Sequence, residues 1–347
     1  MINGHQQPYV RKAELTFNRL AMPKILVAAM TLAEFKGGYR QVLTDAGFEL
    51  IFPPQPKQLA ENELLEYLSG VVASVAGSEP YTRRVIESHP QLRHIARIGV
   101  GFDAVDLVAA TEAGIVVTTT AGSNHEAVAE HTFALLLALA KSVVRHDVRT
   151  RQGLWPRQTN KPLRGQTLGI VGLGRIGQAV ARRAQAFGMR LIACEPVPNM
   201  EFVRRYEIDL APLSVALSAA DFVSLHVPLT AETANMINRG TLALMKPAAF
   251  LINTSRGGVV CELDLMQALQ QGVIAGAGLD VFENEPVRDH RLFALDNVVL
   301  TPHTAGSDLR SREDMAMSAA ESVLALSRGQ WPIDRVANPE VRPQFRW

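Results

Sequence analysis

The stretch Leu168-Gly169-Ile170-Val171-Gly172-Leu173-Gly174-Arg175-Ile176-Gly177 decides how this chain is read. An apolar run enters a glycine turn, and a helical pattern leaves it. Gly172 permits the tight strand-to-helix turn, Gly174 lets backbone amides approach a pyrophosphate, and Gly177 lets the following helix pack closely on its strand. Gln178 to Phe187 carries helical spacing in Ala179, Val180, Ala184 and Phe187, Gly188 ends it, and Met189 to Cys194 reads as the next strand. Glu195 then stands at that strand's C-terminal end, 18 positions beyond Gly177. A carboxylate there accepts hydrogen bonds from adenosine ribose hydroxyls and repels a 2′-phosphate, and no Arg or Lys follows within Pro196 to Glu201. The spacing predicts a dinucleotide site for NAD rather than NADP.

A chain of 347 residues exceeds the usual single-core size, and the central position of the glycine turn leaves the preceding residues to fold as a second unit. With 47% hydrophobic and 20% charged residues and a formal net charge of +1, the composition is that of a globular protein. It offers no electrostatic footprint for nucleic acid or for an anionic membrane. The longest apolar stretch, Phe133 to Ala140, is too short to span a bilayer. Residues 1–22 are polar, with scattered Arg and Lys and no apolar core of a secretory signal, and read as an N-terminal extension. Cys194 and Cys261 lie far apart without CxxC or His spacing, which argues against a metal site or a disulfide framework and for a reduced, cytoplasmic protein.

From Lys24 onward short apolar strands (25–29, 71–75, 95–98, 116–118) alternate with helical stretches (64–68, 83–88, 107–113), the pattern of a parallel sheet with helices on both faces. It pauses near Thr118 to Asn124, gives a long amphipathic helix from about Glu126 to Val144, and resumes at Leu168 through strands at 222–225, 250–253, 276–280 and 298–301. A last helix, about Asp308 to Arg328, ends at Gly329 with Pro332 beyond. The fold class expected is α/β, with two Rossmann-like or flavodoxin-like parallel-sheet domains separated by a cleft. The nucleotide domain spans 124–303, and a discontinuous substrate domain spans 23–123 plus 304–335, with hinges near Asn124 and His303.

Several further words follow in order: Gly99-Val100-Gly101-Phe102-Asp103, Val128-Ala129-Glu130-His131-Thr132, His226-Val227-Pro228-Leu229-Thr230, Asn253-Thr254-Ser255-Arg256-Gly257-Gly258, Asp280-Val281-Phe282-Glu283-Asn284-Glu285-Pro286 and Thr301-Pro302-His303. With the glycine turn they resemble the D-isomer-specific 2-hydroxyacid dehydrogenase family from Met22 to about Asn338. The resemblance implies hydride transfer between NAD(H) and a D-2-hydroxy acid/2-oxo acid pair. Such a reaction needs a cation to fix the carboxylate and polarise the ketone, and an acid to protonate the forming alkoxide. Arg256, just beyond the strand at 250–253, offers a planar fork of donors at the carboxyl edge of the sheet. His303 follows a strand ending at Thr301 and lies at the same edge; by resemblance it is the general acid in reduction and the base in oxidation.

Glu283 and Glu285 compete as partners of His303, and spacing alone does not separate them. The family pattern puts the catalytic carboxylate immediately before the proline, which selects Glu285. A carboxylate on the far ring nitrogen fixes the tautomer and favours the protonated ring. Asp280 is expected at the nicotinamide carboxamide. The turn Gly99-Val100-Gly101 offers main-chain amides of Val100 and Gly101 as the second clamp on the substrate carboxylate. Arg97 stands just before that turn, where it reaches either a second anionic group or a surface ion partner. By resemblance, Arg175 and Ile176 give amides to the pyrophosphate, Val227 and Pro228 line the adenine pocket with Thr233 beside it, and Thr254 borders the nicotinamide. Val128 and Thr132 serve either there or in the helix core.

The chain departs from the family pattern at Thr119-Thr120-Ala121-Gly122, where relatives carry Asn-x-Pro-Gly, and at Cys261, where an Asp is usual. It also stops soon after the last helix, so a C-terminal regulatory domain is not expected. Within the family the phosphoglycerate dehydrogenase-like branch is the expectation. Ala76 weakens it, because it stands where a phosphate-binding Arg is common. Hydroxypyruvate or glyoxylate reduction is the nearest alternative, and a non-catalytic NADH-sensing corepressor-like protein the next. The resemblance also implies a homodimer joined through the nucleotide domains, with the long helix at the interface.

Overall fold

Runs of Val, Ile, Leu and Ala form inner strands in which nearly every side chain is buried, the sequence signature of parallel sheets covered on both faces. The computed structural model describes residues 22–288 and 291–347. The first series comprises β1 (Lys24–Val27), β2 (Glu49–Ile51), β3 (Val71–Ala76), β4 (His94–Arg97) and β5 (Val116–Thr118). The second comprises β6 (Thr167–Val171), β7 (Arg190–Cys194), β8 (Asp209–Leu210), β9 (Phe222–Leu225), β10 (Phe250–Asn253), β11 (Gly276–Leu279) and β12 (Val298–Leu300).

They make two all-parallel sheets, ordered β2-β1-β3-β4-β5 and β12-β11-β10-β9-β6-β7-β8. The first has the flavodoxin-like order. The second reverses direction between β6 and β9, where Val171 pairs with Leu225, and the crevice beyond the carboxyl ends of those strands is where doubly wound sheets bind ligands. The glycine turn leaves β6 at that point. β2 and β8 were not legible as strands: three and two residues long, they carry too few positions for a periodicity.

The expected single helix over 126–144 is instead two, His125–Ala140 and Val143–Arg151, bent by 57°. The break lies at Ser142, whose φ of 51° is left-handed. Apolar periodicity runs on through Val143 and Val144, but both are exposed, so the pattern carried no sign of the turn. Helix Leu309–Ser327 is capped by the Asp308 side chain, which accepts from the Ser311 amide at 2.6 Å. It packs on helix Gly38–Asp45 and on β3 and β4, burying Ala316, Ala319, Ala320 and Val323 in the core of the first sheet.

The glycine turn is held by contact. A Cβ at Gly177 would stand 2.1 Å from the Gly172 carbonyl oxygen, and Gly172 itself has φ of 93° with the His226 carbonyl close by. Gly174, in contrast, opens onto space with nothing within 4 Å of its Cβ direction. Gly177→Ala is therefore expected to lower unfolding free energy by about 1–3 kcal/mol in denaturant titrations. Gly174→Ala should leave stability unchanged and weaken NADH binding; equal destabilisation by both would contradict this division.

Candidate active site

The cofactor half begins at the turn. Helix Arg175–Ala186 starts after Gly174, whose lack of a side chain leaves the first-turn amides, those of Arg175 and Ile176 among them, facing outward for an anion. The Glu195 carboxylate accepts from the Leu173 amide at 2.8 Å and from the Val197 amide at 3.1 Å, which fixes it at the end of β7. Beside it lies a cavity of about 440 Å³ lined by Ala193, Cys194, Glu195, Pro196, Leu210, Ala211 and Pro212. An open glycine cradle, unpaired helix amides and a carboxylate beside an apolar slot fit NAD with a bare ribose diol.

The residues expected around the adenine follow β9, the strand beside β6. Val227 packs near Gly172, Pro228 accepts from the Thr233 hydroxyl at 2.6 Å, and none of Val227, Pro228 and Thr233 lines this cavity. Leu210 to Pro212, which do, begin at the last residue of β8, the strand that was too short to read. Thr254 is buried and bonded through its hydroxyl to Thr132 at 3.0 Å, which anchors the end of β10 to helix His125–Ala140 and puts Thr132 in the helix packing.

The catalytic half gathers at the carboxyl ends of β4, β10, β11 and β12. Arg256 Nε donates to Asp103 Oδ2 at 2.8 Å, and Nη1 donates to the Ser255 carbonyl at 2.6 Å. Burial pushes the Asp103 carboxyl up, but the charge and hydrogen bond of Arg256 hold it below the usual range. Nη2 lies over Gly101, where a Cβ would stand 1.5 Å from it. The guanidinium thus reaches the Gly99-Val100-Gly101 turn, as the paired clamp requires. Gly99 has φ of 145°, and its amide donates to Thr120 Oγ1 at 2.8 Å, so it shapes the turn.

His303 Nδ1 meets Glu285 Oε2 at 2.6 Å, and Glu285 Oε1 accepts from the Phe282 amide at 2.9 Å. Burial raises the Glu285 carboxyl, and the hydrogen bond and charge of His303, with smaller help from Phe282 and Arg256, more than reverse it. Glu283, the competing acid, instead exchanges hydrogen bonds with Glu262: its carboxylate accepts from the Glu262 amide at 2.9 Å, and its amide donates back at 2.6 Å. Asp280 is fully buried, and its carboxylate accepts from the Thr301 hydroxyl and from the amides of Thr304 and Ala305. Its carboxylate is thus tied to the loop that carries His303.

Arg97 is no surface residue. It is 7% exposed, donates from Nε to the Gly101 carbonyl at 3.0 Å, and lies under the Ala76 carbonyl. Burial pulls its pKa down, and the charge of the buried Glu79 opposes that. Asp103 and the Glu79–Arg97 arrangement were missed because each depends on partners brought together only by the fold, across 153 residues for Asp103 and Arg256.

A glycine-cradled dinucleotide site facing an Arg and a carboxylate-held His defines a nicotinamide-dependent oxidoreductase of 2-hydroxy acids. Residues 133–305 match the family described as D-isomer specific 2-hydroxyacid dehydrogenase, NAD binding domain. The chain is 43% identical over 304 residues to a glyoxylate reductase of Pyrococcus furiosus, covering 85% of this chain and 90% of that one. It is 39% identical over 287 residues to a D-3-phosphoglycerate dehydrogenase of Methanocaldococcus jannaschii, covering 82% of this chain and 55% of the relative. The crystal structure of the Aquifex aeolicus D-lactate dehydrogenase, complexed with NAD and lactic acid, superposes with a TM-score of 0.80 at 29% identity, over 91% of this chain and 99% of that one. The chain belongs to the D-isomer-specific 2-hydroxyacid dehydrogenases, which are NAD-dependent enzymes.

Gly101→Ala pushes on the ends of two side chains, the Arg256 guanidinium and the Asp103 carboxylate, and on no backbone, so it is expected to keep the melting temperature and raise KM for the 2-oxo acid, with NADH affinity unchanged. A fall in melting temperature at constant KM would contradict the placement of Arg256. The Glu285 carboxyl is lowered in the folded protein, so its contribution to stability is present above its unfolded value of about 4.3 and lost as pH falls through its folded value. Glu285→Gln should flatten the acid limb of the melting temperature below about pH 4. An unchanged limb would show that the pair does not couple to folding.

Proposed function

We propose that this enzyme reduces a small unphosphorylated 2-oxo acid, glyoxylate or hydroxypyruvate, to the D-2-hydroxy acid with NADH. The observation that carries this reading is the state of Arg97. At the carboxyl edge of the first sheet its guanidinium is sealed beneath the Ala76 and Gly101 carbonyls near Glu79, and Ala76 itself offers no charge. A phosphate dianion placed there would lose its hydration against a guanidinium already donating to two carbonyls and offset by Glu79. The similarity to a glyoxylate reductase along nearly its full length points the same way. The phosphorylated substrate expected from the branch resemblance has less support.

In this reading the Arg256 fork and the amides of Val100 and Gly101 hold the substrate carboxylate, and Arg256 also draws charge from the ketone oxygen. His303 donates the proton of Nε2 to that oxygen while Glu285 holds Nδ1 and stabilises the ring through the exchange. NADH, when bound along the glycine turn, supplies the hydride. Closure of the cleft, with hinges near Asn124 and His303, excludes water from the reacting atoms.

The test is the initial rate of NADH oxidation with glyoxylate, hydroxypyruvate, pyruvate and phosphohydroxypyruvate. The expected result is a kcat/KM for glyoxylate or hydroxypyruvate at least about 100-fold above that for phosphohydroxypyruvate, the scale on which an unpaired polar group is rejected. Preference for the phosphorylated acid would overturn the reading. NADH binding without turnover on any acid would favour a sensing role.

A further inference from the structure

We propose that His131, acting through Thr301 and Asp280, is a positioning residue that holds the backbone of His303 in a left-handed conformation. The inference rests on reading His303 as the proton donor. His303 has φ of 53°, a region a β-carbon disfavours, so the turn must be held by its surroundings. Its amide donates to the Asp280 carbonyl at 2.8 Å and to the Thr301 carbonyl at 3.1 Å.

The turn is wrapped around one buried carboxylate. Asp280 Oδ1 accepts from the Thr301 hydroxyl at 2.6 Å and the Thr304 amide at 2.9 Å, and Oδ2 accepts from the Ala305 amide at 2.9 Å. His131 Nε2 lies 2.9 Å from Thr301 Oγ1 and 3.5 Å from Asp280 Oδ1. A hydroxyl has one proton, and Thr301 gives it to Asp280, so Nε2 of His131 must be the donor in their contact. That donation fills the lone pair through which the hydroxyl would otherwise turn. It thereby directs the Thr301 proton onto Asp280 and ties helix His125–Ala140 to the His303 loop. Glu285 aims the imidazole from the ring, and this chain of bonds aims it from the backbone.

The experiment compares His131→Ala, Thr301→Val, Thr301→Ser and His303→Ala in the full-length protein, measuring kcat and KM for glyoxylate and hydroxypyruvate, NADH affinity by fluorescence, and melting temperature. His131→Phe, which keeps a ring but cannot donate, takes the place of His131→Ala if that variant does not fold, and His131→Gln, whose amide can still donate, should keep most of kcat. His131→Ala and Thr301→Val are expected to lower kcat about 10- to 100-fold, the scale of a misplacement near 1 Å, with KM and NADH affinity retained. Thr301→Ser should keep wild-type kcat. Wild-type kcat in His131→Ala or in Thr301→Val would overturn the proposal. So would a Thr301→Ser as slow as Thr301→Val, or a loss of NADH binding parallel to the loss of kcat, since either marks packing and not alignment. A fully active His303→Ala would overturn the proton-donor reading itself, an outcome distinct from an inert His303→Ala beside unimpaired His131 and Thr301 variants.

Discussion

The hydrogen bond between Arg256 and Asp103 joins the carboxyl edges of the two sheets, and the organisation of the site depends on it. Parallel strands all end at one edge, so each sheet delivers its loops to a single side. The two edges meet here, with Arg256 after β10 and Asp103 after β4. The pair is partly exposed, so it adds little to stability. Its effect is directional. It fixes one side of the guanidinium, and the bare Cα of Gly101 lets the other side approach the turn whose amides complete the clamp.

The second half of the site answers a different demand. A proton donor must be presented at the cleft with its ring held in one tautomer, yet it sits on a loop. The loop is tied at the His303 ring and on both sides of it in sequence: Glu285 takes Nδ1, and the Asp280 carboxylate accepts from the Thr301 hydroxyl and from the amides of Thr304 and Ala305. Thr132 and Thr254 add a further tie between helix His125–Ala140 and β10. That helix therefore contacts both the Arg256 strand and the His303 loop, and it keeps the two catalytic groups in register.

Much of this was legible in the sequence, and the limits are physical. The glycine turn could be read because its three glycines answer local constraints, as the contact between Gly177 and the Gly172 carbonyl shows. Arg256, Glu285 and His303 could be placed because each follows a strand with a clear apolar pattern. Glu283 and Glu285 could not be separated by spacing, since the choice is made by Glu262, a partner 21 residues upstream of Glu283. The bend at Ser142 was hidden by exposed valines that continue the helical pattern. The burial of Arg97 and Asp280 was invisible for the same reason as the Asp103 contact: burial and pairing are set by packing between segments that the sequence does not bring together.

The most direct test of the account is a crystal structure of the enzyme with NADH and oxamate, a non-reacting analogue of a 2-oxo acid. The account predicts the oxamate carboxylate between the Arg256 guanidinium and the amides of Val100 and Gly101, and its carbonyl oxygen within hydrogen-bond distance of His303 Nε2. Oxamate bound away from Arg256, or a cofactor lying outside the Gly172–Gly177 turn, would contradict it.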